Sequence, residues 1–426
     1  MFFSKKKNLE EAPLGYWEEK SYMMIIPSNE LRNPLVGLFD RVADIKGVKI
    51  LEQRELSDKE PGYIKVSYES DEYEIGFYPT GFTLQESYLT NNYHFKDEEI
   101  EHLRNTHRAL TIFMDFKSDV KKSYHLQLKI AEAMIPDMLA LVDESAERLI
   151  PYKWVEMTIN TNVVPSANDL FVVQAVLGKN DEVWLHTHGL SRCGLTELEV
   201  FEANKENYNS YYALISTFAS YLIDKIGENF NPREDSAYIG VLSDNSPVVV
   251  TALSWTEALN YYPKLKLGGL KDRKESHNTH SSVIFLYQSE EDEKAKRVSK
   301  VSIYDKLWLD NPIFFISNEE TNRMKALAIE RFSYVLEQFK NKDNKIIIKV
   351  GMKTADLENP DSLEHIWFEL LEIKGNKFRA KLTQEPYNIP DIKVGDEVWF
   401  KVSEITDWII YTKEYAINPG TVYLIS

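Results

Sequence analysis

The sequence predicts an α+β fold, with mixed and antiparallel sheets, packed helices, and a small, mostly-β, barrel-like domain at the end. Three observations predict it. Apolar runs of strand length recur along the whole chain, beginning at Tyr22–Ile26. A few longer segments place apolar residues at helical spacing, most clearly Tyr208–Ile226. Beyond the helical stripe that ends at Phe339, apolar and polar residues alternate in short runs separated by turn residues.

Taken in order, Tyr22–Ile26 reads as a strand stopped by Pro27, and Asn29–Ile45 as a helix through Leu31, Leu35, Leu38 and Val42. Val48–Leu56, Tyr63–Tyr68, Tyr73–Tyr78 and Ala109–Phe116 read as strands. Tyr124–Leu149 has a helical pattern, with Pro136 starting a second helix or kinking the first. Trp154–Ile159, Leu170–Leu177, Glu182–His188 and Glu197–Phe201 read as strands before the helix of Tyr208–Ile226, where Gly227 stands at the C-cap position. Ala237–Leu242, Val248–Leu253, Val283–Tyr287 and Val298–Ile303 continue the strands. Ser317-Asn318-Glu319-Glu320 has capping-box spacing and opens a helix buried through Met324, Leu327, Ala328, Phe332, Val335 and Phe339. Strands follow at Ile346–Val350, Ile366–Ile373, Phe378–Leu382, Val398–Val402 and Ile405–Ile410, with Gly375-Asn376 as a hairpin turn. Domains are expected over residues 1–150, 151–315 and 316–426.

A chain of 426 residues exceeds one ordinary core and suggests roughly two to three domains. Its Lys and Arg number 50 against 67 Asp and Glu, a formal charge of −17. That field repels phosphate backbones and anionic lipid, so neither nucleic acid nor membrane is the expected partner, although a local basic patch is still compatible with it. It favours a basic protein partner. Cys193 is the only cysteine, which rules out an intrachain disulfide and fits a reducing, cytoplasmic setting. The opening MFFSKKKNLEEAPLG has a basic run but no apolar stretch after it, so it does not read as a secretory signal.

The sharpest chemical feature runs from Trp184-Leu185-His186-Thr187-His188-Gly189 through Arg192-Cys193-Gly194 to Glu197-Leu198-Glu199. On a strand, His186 and His188 share a face, and Glu197 and Glu199 share one on the next strand. If the two strands pair, imidazoles and carboxylates converge, a donor set suited to zinc, iron or manganese. The alternatives are an ordinary sheet face including Trp184, with glycines serving a tight loop, or a capping box from Thr196 to Glu199. Cys193 as a nucleophile competes with a small buried hydrophobe. A second feature, Gly268 to His280, joins glycine amides to Lys271 and Arg273, beside Asp272, and reads either as an anion cradle or as a solvated loop, with His277 or His280 able to meet the first motif in space. A third, Asp396-Glu397 with Asp407-Trp408, reads as a binding lip or as a packed Trp408 with Asp407 capping a backbone amide.

His125-Leu126-Gln127-Leu128, the stretch from Trp184 to Glu199, Asp272-Arg273 with His277-Asn278, and Glu320-Thr321 with Arg323-Met324 resemble the domain-of-unknown-function family 4026. Ile366-Trp367-Phe368, the run Leu382 to Tyr387, Gly395-Asp396 and Thr406-Asp407-Trp408 are similar to the domain-of-unknown-function family 2314. The resemblance implies a bacterial cytoplasmic protein and brings no activity, cofactor or catalytic residue.

Three functions compete on this evidence. The first is a non-enzymatic protein-binding module, including the immunity type that captures a toxin, with Trp184, His186, His188, Arg192, Glu197, Glu199, Asp272, Arg273 and His277 as its binding residues. The second is a metal-dependent hydrolase with His186, His188, Glu197 and Glu199 as ligands or base. The third is a small-ligand sensor using the glycine-rich loops.

Overall fold

A computed structural model describes the chain except residues 1–18, 30–35, 58–59, 91–93, 180, 229, 274–277, 311, 356–362 and 426. It is an α+β protein of two compact units. The first comprises residues up to 155 and 165–315, and the second comprises 156–164 and 316–426. The N-terminal domain expected over 1–150 thus shares a unit with most of the one expected over 151–315.

The first unit holds two sheets. The earlier one contains β1 (Ser21–Pro27), β2 (Val48–Arg54), β3 (Gly62–Tyr68), β4 (Asp71–Gly81), β5 (Arg108–Met114), β6 (Met138–Asp143) and β7 (Arg148–Pro151), in the order β2-β3-β4-β5-β1-β6-β7. Its helices are α1 (Leu38–Ala43), α2 (Asp97–Asn105) and α3 (Val120–Met134). Asp119 caps α3 by accepting the Lys122 amide at 3.0 Å. The helix stops before Pro136, and the remainder of the expected helical segment is instead the β6–β7 hairpin. A run such as Leu139-Ala140-Leu141-Val142 is short enough to fit either period, and its place beside β1 decides for strand. The expected strand Trp154–Ile159 is corrected in the other direction. It belongs to helix α4 (Tyr152–Ile159), whose buried Trp154, Val155 and Thr158 follow helical spacing. Of the helix expected over Asn29–Ile45, the described residues hold only α1.

The later sheet contains β8 (Val172–Leu177), β9 (Glu182–His188), β10 (Glu197–Asn204), β11 (Ala237–Val241), β12 (Pro247–Ser254), β13 (Ser281–Tyr287), β14 (Ser299–Lys300) and β15 (Ile313–Phe314). The order is β15-β11-β12-β13-β10-β9-β8, with β14 pairing β13. Only a two-residue strand and a 3-10 turn, Val301–Tyr304, occupy the expected strand Val298–Ile303. Helix α5 (Tyr208–Asp224) buries Tyr211, Leu214, Ile215, Phe218 and Leu222 on one face. Gly227 behind it adopts φ 88°, which a side chain would resist. Shorter helices α6 (Trp255–Ala258), α7 (Glu290–Lys294) and α8 (Asp305–Trp308) complete the unit.

The second unit carries α9 (Asn318–Glu330) and α10 (Phe332–Gln338) ahead of one antiparallel sheet, curled as half a barrel. Its strands are β16 (Lys345–Lys353), β17 (Leu363–Lys374), β18 (Lys377–Leu382), β19 (Glu397–Lys401), β20 (Ile405–Tyr411) and β21 (Ala416–Ile417), in the order β19-β18-β17-β16-β20-β21. Ser317 accepts the Glu320 amide at 3.1 Å, as the capping-box spacing predicts. Ile348, Phe368, Phe378, Phe400 and Trp408 face the helices and form the core. Trp408 donates its indole N–H to the Ala328 carbonyl at 2.9 Å.

Candidate functional site

Strands β9 and β10 do pair, and the register sets Glu199 directly across from His186. Trp184, His186 and His188 share one face, as alternation requires. Their rings meet in series along it, Trp184 to His186 tilted at 4.4 Å and His186 to His188 edge to face at 4.9 Å between centroids. His188 Nδ1 lies 3.7 Å from the Glu147 carboxylate, which also accepts from Gln174 at 2.9 Å.

The carboxylates, however, are committed elsewhere. Glu199 is gripped at both oxygens by Arg273, at 2.7 Å each, and also accepts from Trp184 Nε1 at 3.0 Å and from Ser281 Oγ. Burial pushes the Glu199 carboxyl up, and the Arg273 guanidinium opposes it. Glu197 accepts from Thr187 Oγ1 at 2.6 Å and from the amides of Gly189 and Ser191 at 3.0 Å each, so it shapes the β9–β10 loop. The two carboxylates and two imidazoles therefore do not form one ligand set. Among the described residues no group of three or more His, Cys, Asp or Glu is arranged to hold a metal ion.

Arg273 closes this centre from the glycine-rich loop. Its guanidinium lies over Trp255 at 4.1 Å and Trp184 at 5.6 Å, and donates to the Gly268 carbonyl at 3.0 Å. Asp272 accepts the Gly269 amide at 3.1 Å and so closes the turn. With Arg273 pointing inward and the Gly269 amide taken by Asp272, the described start of the loop clamps the sheet. His277 lies outside the described residues.

A second buried ionic centre was not foreseen in full. Arg192, from the β9–β10 loop, makes a two-pronged pair with Asp143 at 2.7 and 3.0 Å. The same guanidinium donates to the Leu170 carbonyl at 2.5 Å and to Ser21 Oγ at 3.2 Å, and sits over the Tyr124 ring at 5.0 Å. Arg148 approaches Asp143 at 3.4 Å and donates to Tyr124 Oη at 2.9 Å. Asp143 and the Arg192 side chain are fully buried. Sequence offered one signal for the missed partners: Asp143 and Arg148 are charged residues bounding apolar runs, which burial permits only in pairs. Beside Arg192, burial pushes the Cys193 thiol up to about 12, against the pull of the guanidinium, so it is a poor nucleophile.

Gly189 owes its place in the motif to backbone geometry. It adopts φ 112°, and a Cβ there would stand 2.4 Å from the Leu170 carbonyl oxygen.

In the second unit, Trp408 is buried and Asp407 accepts the Trp408 amide at 2.8 Å, the packed arrangement and not a lip. Burial raises the Asp407 carboxyl, partly offset by that hydrogen bond, Lys349 and Arg323. Asp396 accepts the Lys393 amide at 3.0 Å in a turn.

A cleft of about 460 Å³ opens at the C-terminal end of α5. Tyr221 and Phe230 line it with Glu228, Glu234, Asp235 and Glu293. The two rings meet edge to face at 5.3 Å, and the Lys225 ammonium lies 5.8 Å from the Tyr221 ring and 2.7 Å from Glu228. No sequence motif marks this cleft, because its walls come from a helix end, a loop and α7.

Comparison with known families matches residues 21–165 to the family described as protein of unknown function (DUF4026), N-terminal, and residues 173–285 to its C-terminal counterpart. Residues 318–425 match the family described as uncharacterized protein conserved in bacteria (DUF2314). No curated protein and no solved structure matches the chain.

Proposed function

We propose that this chain, which belongs to the DUF4026 family and carries a DUF2314 domain, is a non-enzymatic binding protein that takes a basic protein partner at the Tyr221–Phe230 cleft. The single observation behind this reading is the cleft's wall chemistry, carboxylates beside aromatic rings. Carboxylates attract Lys and Arg side chains, and the face of a tyrosine or phenylalanine adds a cation–π contribution. Lys225 already occupies a small part of the cleft in this manner. The formal charge of −17 supports the same reading, since it steers cationic partners toward the surface and speeds encounter. The buried residues of the β9–β10 region support it too, because Glu199 is held by Arg273 and Glu197 by Thr187 and loop amides.

The test is calorimetric titration of a Lys/Arg-rich peptide and of its Glu-substituted counterpart into the full chain. Saturable binding of the basic peptide alone is expected, weakened about tenfold by Glu228→Gln with Glu234→Gln, and weakened again by salt. Equal binding of both peptides, or an affinity indifferent to the double substitution, overturns the reading.

A further inference from the structure

The outer face of the second unit's sheet has a charge opposite in sign to the chain as a whole. Its inner face packs against α9 and α10. Alternation sends the intervening side chains outward. The register aligns Lys374, Lys377 and Lys401 in one cross-strand row and Trp367, Lys349 and Asp407 in another. Trp399 lies between these rows, opposite Arg379. On this face cations outnumber carboxylates, in a chain of formal charge −17. Lys377, Lys381 and Lys401 are exposed and hold no ion pair among the described residues.

The aromatic rings are interleaved with these cations. Trp399 is 43% exposed and Trp367 is half-buried. The Lys349 ammonium lies 5.3 Å from the Trp367 ring, and the Lys374 ammonium lies 5.3 Å from Trp399. Each indole therefore has one lysine ammonium near its ring, and the one beside Trp399 is held by Glu372 at 2.6 Å, which leaves ring surface for a flat guest.

We propose that this face binds single-stranded nucleic acid, with bases stacking on Trp367 and Trp399 and phosphates meeting Lys377, Lys381 and Lys401. Stacking platforms beside a tracking line of cations are what sequence-tolerant single-strand binding requires. Among the described residues the face projects no helix or ribbon able to enter a major groove, so a duplex is the poorer ligand. An acidic protein segment would satisfy the lysines but would leave the two indoles without a function. The acidity of the rest of the chain opposes the encounter and confines tight binding to low salt.

The experiment is fluorescence anisotropy of labelled oligouridine and oligothymidine, each about twelve nucleotides long, with the full chain at about 50 mM salt. Saturable binding of either strand is expected, and binding of the ribose strand alone assigns the ligand as RNA through its 2′-hydroxyls. Trp399→Ala should weaken binding roughly tenfold, with Trp399→Phe restoring most of it. Lys377→Glu with Lys401→Glu, both at exposed positions, should weaken binding further and flatten the salt dependence from a slope of about −2. The proposal is overturned by absence of saturable binding to either strand. It is equally overturned if polyglutamate displaces the strand while the Trp399 variants bind as wild type, an outcome that would make this a face for acidic proteins. The unfolding temperature of each variant is measured alongside, and a loss of binding that follows loss of folding also counts against it.

Discussion

Arg192 illustrates how a residue can look functional and prove to hold the fold together. Its two hydrogen bonds to Asp143 are fully buried, and removing one partner of such a pair strands the other charge in the interior. Arg192→Ala is expected to lower stability by roughly 3–5 kcal/mol, read as a shift in urea midpoint. Arg192→Lys should recover only part of it, because an ammonium cannot reproduce the fork geometry. Cys193 beside it should resist alkylation in the native state at pH 8 and react only after unfolding, since burial holds the thiol in its protonated form. Mass-spectrometric labelling with and without urea checks this, and native-state labelling at the rate of a free thiol would contradict it. The metal reading is tested at the same scale. With Glu199 held by Arg273 and Glu197 by the loop, the purified chain is expected to carry less than about a tenth of an equivalent of zinc, iron or manganese. Near-stoichiometric metal lost on His186→Ala would restore the hydrolase. The candidate site was legible as a set of residues that converge, since alternation alone places His186 and His188 on one face. Their occupation was not legible, because Arg273 arrives from 74 positions away.

Strand and turn geometry account for the glycine that closes the Trp184–Gly189 motif. Gly189→Ala must fit a Cβ against the Leu170 carbonyl at a φ that L residues avoid, so a loss well above about 1 kcal/mol is expected in the unfolding midpoint. On the outer sheet face, His365 shows how a strand position sets a pH response. Burial, with smaller contributions from Lys349 and Lys325, lowers its pKa, so folding favours the neutral ring. The unfolded chain takes up that proton near pH 6.5, ahead of the folded one. Stability is therefore fully present above the unfolded value and declines as pH falls through it toward the lower folded value, where the loss levels off. His365→Gln should flatten this part of the profile of unfolding temperature between pH 7.5 and pH 5, and an unchanged slope would assign it to other groups. At this scale the strands of the last segment were read well, because a half-exposed strand writes its alternation into sequence. The β6–β7 hairpin and α4 were misread for the opposite reason. Their segments are too short or too buried to display a period, and neighbours such as β1 chose their structure.

For the molecule as a whole, the Arg192–Asp143 pair links the segment matched to the N-terminal part of DUF4026 with the segment matched to its C-terminal part. Apart from residues 156–164, both segments lie in one compact unit, so they should unfold together. Native-state hydrogen exchange is expected to show the slowest amides of β1, β6 and β10 sharing one opening free energy, lowered in common by Arg192→Ala and unmoved in β17. Independent opening of β6 and β10 would mean that the buried pair does not couple them. The sequence by itself determined the α+β class, most of the strands, the helix of α5 with its terminal glycine, the capped start of α9 and the overall acidity. These follow from local periodicity, turn chemistry and composition, which need no knowledge of neighbours. Tertiary structure alone decided which charges are spent on one another, that the two DUF4026 segments close largely into one unit, and that lysines and tryptophans from separate strands gather on one face. Those outcomes depend on strand order and register, and residues far apart in sequence meet only when the chain has folded.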